Sequence, residues 1–196
     1  DEGAVSTSNV QVQVSVSAVN DAPTMSANVS LRAIDEDASV NNGSIIVTLA
    51  GGVFADPDAG QTLGGLIVTG NDADPSTEGQ WEYSTDGGSH WYAVDSVSDS
   101  AGLALSAATQ LRFVPVANYN GTPGGLTVHD TDSAYAGGYT AGATTVTFDT
   151  TTDSATAGVS DGSRSVSVTV NAVNDAPAFT SPPVLIEMEE TAAPDN

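Results

Sequence analysis

Valine stands at every second position from Val10 to Val16, with Gln or Ser between, and again at Val166, Val168 and Val170. A period of two sends alternate side chains to opposite faces, so both stretches predict strands with one buried face. Further strands are predicted at 44–49, 65–69, 80–84, 90–94, 111–114, 125–129 and 144–149, short apolar and β-branched runs set between Gly, Asp, Asn and Pro clusters. Asp86-Gly87-Gly88 between two aromatic runs predicts a hairpin. No stretch carries a helical stripe of apolar residues. Many short strands with turn chemistry between them predict an all-β sandwich.

The two valine runs belong to a repeat. Residues 10–23 (VQVQVSVSAVNDAP) return as residues 164–177 (RSVSVTVNAVNDAP), an offset of 154 residues. A weaker echo follows at the same offset, Leu31–Asp37 against Leu185–Thr191. The reading is therefore the terminal strand and linker of one repeat over 1–23, a complete repeat over 24–176, and the start of a third over 177–196. A unit of 154 residues exceeds the usual sandwich of about 100 residues. The excess is placed at about 133–162, a Gly-, Ala- and Thr-rich stretch read as an inserted hairpin or long loop. The chain reads as a segment of a longer tandem array, with no signal peptide at Asp1-Glu2-Gly3.

Charge narrows the function. Twenty-five acids against 3 bases leave a net charge of −22, and the bases are all arginine: Arg32, Arg112 and Arg164. Such a surface repels nucleic acid and anionic lipid, and no apolar run is long enough for membrane insertion. Cysteine is absent, which removes disulfides, thiol catalysis and thiolate metal sites together. A monomer is expected. Self-repulsion of this size destabilises a compact state unless cations bind or screen the acids.

The acids are clustered at predicted strand ends: Asn20-Asp21, Asp35-Glu36-Asp37, Asp56-Pro57-Asp58, Asp72-Ala73-Asp74, Asp130-Thr131-Asp132 and Asn174-Asp175. Like charges one or two residues apart repel, and a divalent cation between them removes the conflict. Calcium takes 6–8 oxygen ligands from carboxylates, amides, carbonyls and water, which suits these clusters. The bland alternative is a solvated acidic surface.

Three motifs carry a resemblance: Val19–Pro23 and Val173–Pro177 at the junctions, the acidic patch Asp35-Glu36-Asp37, and the loop Asp56-Pro57-Asp58. The phrases Leu111–Gly121 and Trp81–Gly88 add to it. The arrangement resembles the cadherin-like tandem repeats of giant bacterial surface adhesins of the repeats-in-toxin (RTX) type. That resemblance implies a cadherin/immunoglobulin-like Greek-key sandwich on the bacterial cell surface, exported by a non-classical, type I route. It would act as a structural extender supporting attachment and biofilm formation. Its partners would be neighbouring repeats of the same polypeptide, with host or surface glycan or protein engaged through other domains.

The resemblance also implies calcium at both ends of the complete unit. At the leading end Asn20 and Asp21 meet Asp56, Asp58 and Asp132. At the trailing end Asp35 or Glu36 and the Asn118/Asn120 region meet Asn174 and Asp175. Asn118 and Asn120 stand where cadherins place an acidic pair, which lowers the expected ligand charge there. The third unit's own acidic loop lies beyond Asn196, so the trailing site is expected to be incomplete.

Two other readings stay in view. Trp81, Tyr83, Trp91 and Tyr92 fall within twelve residues, and such a hairpin, or the insertion, could bind a glycan or protein. The alternative puts Trp81 and Tyr83 in the core, where a Trp is the largest single apolar contribution. Catalysis is not expected. His90 and His129 are the only histidines, no G-x-S-x-G or H-E-x-x-H occurs, and Asp56/Asp58 are too close to flank a sugar. His90 reads as an ordinary packed or surface side chain, and His129 could at most join a metal site.

Overall fold

The computed structural model describes Gly3, residues 11–152 and residues 157–177; Val10 and the predicted third repeat beyond Pro177 lie outside the described residues. In chain order the elements are β1 (Thr24–Met25), β2 (Val29–Ser30), β3 (Ile34–Asp35), β4 (Ser44–Ile45), α1 (Ile46–Ala50), β5 (Phe54–Ala55), β6 (Gly65–Asn71) and β7 (Gly79–Ser84). Then come β8 (Tyr92–Ala93), β9 (Gly102–Ser106), β10 (Gln110–Pro115), β11 (Leu126–Thr131), β12 (Thr147–Phe148), β13 (Arg164–Ser167) and β14 (Val170–Asn171). The fold is all-β, as the alternation predicts.

Two sheets do most of the work. One has six strands in the order β12-β9-β6-β11-β13-β2, the other four in the order β4-β10-β7-β8. Between them lies one core, in which Leu66, Val68 and Val128 of the first sheet meet Trp81, Leu111 and Phe113 of the second. Trp81 is fully buried, donates its indole N–H to the Gly124 carbonyl at 2.8 Å, and meets Phe113 edge-on at 5.4 Å. Tyr83 is buried beside it and stacks on Tyr92 at 5.6 Å. The aromatic hairpin is thus largely core. Trp91 is half-buried, with the Arg112 guanidinium 3.9 Å above its ring and Glu82 holding that arginine at 2.6 Å.

The terminal valines behave as their alternation requires. Val166, Val168 and Val170 are 0%, 1% and 2% exposed. β13 pairs antiparallel with β11 and parallel with β2, and β14 pairs parallel with β3. Their counterparts one repeat earlier, Val12, Val14 and Val16, are 82%, 81% and 88% exposed and form no strand. The predicted first strand is therefore absent here. A strand needs a neighbour for its backbone groups and a core for its apolar face, and among the described residues this segment has neither.

Two other departures have clear causes. Residues 44–49 are not one strand: β4 gives way to α1. Ile46 and Ala50, four apart, are both fully buried, while Val47 faces out, so helical spacing overrode the β preference of Ile-Ile-Val. β9 carried no alternation to read, since Gly102 to Leu105 are all buried. Its outer face is covered by the insertion. There Tyr135, Val146, Phe148 and Val159 pack on Ile67 and Ala104 as a second, smaller core. The insertion is a cover on the sheet: within it β12 pairs with β9, and Val159 forms a bridge to Thr131 of β11.

The Tyr135 hydroxyl is buried without a hydrogen-bond partner. Desolvation, helped by Tyr139, pushes its ionisation up to about 12. In the unfolded chain a tyrosine ionises near pH ~10. A raised folded value means stability is intact below the unfolded value and is lost as pH rises towards the folded one. Melting temperature is therefore expected to fall steadily from about pH 10 to 12. Tyr135→Phe is expected to flatten that slope and to hold or raise neutral-pH stability by about 1 kcal/mol, because it removes an orphaned hydroxyl. Thermal melts of both proteins across that range check this; an unchanged slope contradicts it.

Candidate junction sites

The leading site is assembled from a linker and two loops. Asn20-Asp21 precede buried Pro23 and β1, which pairs with β5 and so brings the loop beginning at Asp56 alongside the linker. Asp132 follows the end of β11. The Asn20 side-chain amide donates to Asp132 Oδ2 at 2.8 Å, and the Asp21 backbone N–H donates to Asp58 Oδ2 at 2.8 Å. The Asp58 N–H in turn donates to Asp56 Oδ1 at 2.7 Å. All five leading residues predicted from the sequence thus belong to one connected network.

Three further members carried no sequence signal. Gln61 donates to Asn20 Oδ1 at 3.3 Å and is itself bonded to Ser133. Gly158 has a left-handed φ of 72°, and a Cβ there would lie 2.3 Å from Asp132 Oδ1, so only glycine lets the insertion close on that carboxylate. Asp132 is fully buried, with its Oδ1 accepting the Ala134 N–H at 2.8 Å.

The same end holds carboxylate oxygens with no donor. Asp56 Oδ2 is buried and unpartnered, as are both oxygens of fully buried Asp130. Desolvation holds the Asp130 carboxyl above its ordinary value, against the opposing pull of nearby Ser160, His129 and Arg164. His129 does not face this site. Its register partner Ile67 lies in the outer core, and its Nδ1 sits 2.8 Å from the Ser160 carbonyl oxygen.

The trailing site is looser. Glu36 accepts the Val173 backbone N–H at 2.7 Å and the Asn120 amide at 3.3 Å. Asp35 accepts the Asn171 amide at 3.0 Å. Asn118, at a left-handed φ of 61°, shapes the turn before Tyr119, and its side chain bonds to none of the other predicted ligands among the described residues. Among the described residues Asn174 donates to the Asp175 carbonyl, at 3.1 Å, the same local bond that Asn20 makes to Asp21 at 3.1 Å. The repeated sequence makes the same local bond twice, and among the described residues the leading copy is the one with acidic loops folded against it.

Among the described residues no three Asp, Glu or His side chains converge as a ready-made metal cage. Carboxylates at the leading end alternate with amide donors, which keep like charges apart. His90 is surface-exposed and bonded to Asp86 at 2.6 Å, away from both junctions. No protein-family model, no curated protein and no solved structure matches the chain.

Proposed function

We propose that this chain is an extender repeat of a bacterial cell-surface adhesin: an extracellular, Greek-key, cadherin-like sandwich whose junctions are stiffened by calcium. One observation carries the reading. Consecutive linker residues are tied to carboxylates from two separate loops of the following unit, Asn20 to Asp132 and Asp21 to Asp58. The junction is thus already docked on the domain it precedes.

The residues present fit a hard cation. Asp21, Asp56, Asp58 and Asp132 offer carboxylate oxygens, Asn20 and Gln61 offer amide oxygens, and Asp56 Oδ2 lies buried with nothing to bond. Calcium bound there supplies charge neutralisation and oxygen coordination. The chain's own contribution is to hold the linker against both loops, so that bending the junction requires breaking contacts on two sides. Pro23 fixes its own φ and biases Ala22 towards extended geometry, which leaves fewer torsions to restrain. The glycan-binding alternative draws less support, because Trp81 is fully buried and Arg112 covers Trp91.

Calorimetric titration with calcium tests the site. Replacing Asp56 and Asp58 together with Asn is expected to weaken binding by on the order of tenfold or more, because ligand charge tunes affinity. The same change at Asp95 and Asp99, outside the junction, is expected to leave it unaltered. Equal losses from the two pairs would mean a diffuse acidic surface.

A further inference from the structure

We infer that Asp130 is the innermost ligand of the leading-end cation, a carboxylate reaching the ion from the interior side of Asp132. The inference rests on the calcium reading above. Asp130 is fully buried, and neither of its carboxylate oxygens has a hydrogen-bond partner. Its register partner on β6 is Leu66, a member of the inter-sheet core, so the side chain lies on the interior face of the sheet. Residues two apart in an extended chain share a face at a spacing of about 6.6 Å, which puts Asp130 one step below Asp132 and the Asn20 amide that holds it.

The groups around Asp130 are committed elsewhere. Ser160 Oγ accepts the Asp130 N–H at 3.0 Å and gives its own proton to the Gly162 carbonyl at 3.0 Å. His129 occupies the opposite face of β11. Arg164 donates to the Ser163 carbonyl, Arg112 is held by Glu82, and the sequence has no lysine. A buried carboxylate whose oxygens accept no hydrogen bond is costly even with His129 and Arg164 nearby, and proteins retain one where a cation or donor completes it. A second orphan, Asp56 Oδ2, belongs to the loop that Asp21 bonds through Asp58. A set made only of oxygen ligands suits calcium over the transition metals.

The test compares the full chain with Asp130→Asn, nearly the same shape without the charge, by calorimetric calcium titration and by melting in chelator. Asp130→Asn is expected to weaken calcium binding by on the order of tenfold and to melt above the parent protein in chelator. In saturating calcium that order is expected to shrink or reverse. Calcium affinity equal to that of the parent would make Asp130 a structural carboxyl only, leaving the junction reading intact. A parent protein that takes up no calcium would overturn both. Should Asp130→Asn fail to fold, the side-chain carboxyl ¹³C resonance of Asp130 in the unsubstituted protein is read instead: it is expected to move on calcium addition, and a stationary resonance overturns the assignment.

Discussion

Trp81→Ala is expected to cost about 3–5 kcal/mol, the range for truncating a buried large aromatic. Three losses combine. A fully buried indole leaves a cavity between the sheets, Phe113 loses its edge-on partner at 5.4 Å, and the Gly124 carbonyl loses its donor at 2.8 Å. The collapse needed to fill the void is opposed by β7 and β10, which are held in continuous register on either side of Trp81 and Phe113. Total stability for a domain is typically about 5–15 kcal/mol, and mutual repulsion among the acids of this chain draws on that margin. The variant should therefore be largely unfolded in chelator and partly recovered by calcium. Urea titration followed by tyrosine fluorescence reads this. A midpoint within about 0.5 M of the parent, at the usual slope of about 2 kcal/mol per molar, would place Trp81 outside the core energetics.

The sequence announced most of what positions this core, and the failures are instructive. Val166, Val168 and Val170 alternate because one face of their strand is buried, and the structure buries all three. β9 was invisible because the insertion covers its outer face, so no polar residues mark a solvent side. α1 was hidden by β-branched residues whose helical spacing shows only in the pair Ile46 and Ala50. Closely spaced acids at strand ends marked Asp56/Asp58 and Asp130/Asp132 alongside Asp35–Asp37 and Asp72/Asp74, because such repulsion needs a reason; the resemblance of the junction motif singled out Asp56, Asp58 and Asp132 for the leading end. Gln61, Ser133 and Gly158 gave no such sign. Their roles depend on which loops the strand pairing brings together, and no local pattern encodes that. At the trailing end the conspicuous feature of Asn118 is its left-handed backbone, which no sequence pattern announced.

Chelation is the second large effect. On the proposed reading, removing calcium would leave Asp56 Oδ2 buried without a partner and the acids of the leading junction without a counter-charge, on a chain of net charge −22. With calcium at about 100 times its dissociation constant, one site adds about 2.7 kcal/mol. For a domain of this size that corresponds to a melting shift of about 5–10 °C. Magnesium is expected to restore less, since it demands near-octahedral geometry and gives up its water reluctantly. Sodium chloride at matched ionic strength separates binding from screening: recovery by salt alone would point to general charge relief rather than a site. Melts in chelator, calcium, magnesium and salt make the comparison, and a melt indifferent to calcium contradicts the reading.

Stiffness is the property on which the extender role depends. A free linker of four residues, Asn20 to Pro23, lets adjacent units swing, whereas a linker held to Asp58 and Asp132 and to a shared ion does not. Small-angle X-ray scattering on two or more tandem units, in calcium and in chelator, measures this directly. The account predicts a rod-like distance distribution with a long, well-defined maximum dimension in calcium, and a broader, shorter distribution in chelator while each unit stays folded by circular dichroism. The same maximum dimension in both conditions, with the units folded, would contradict it.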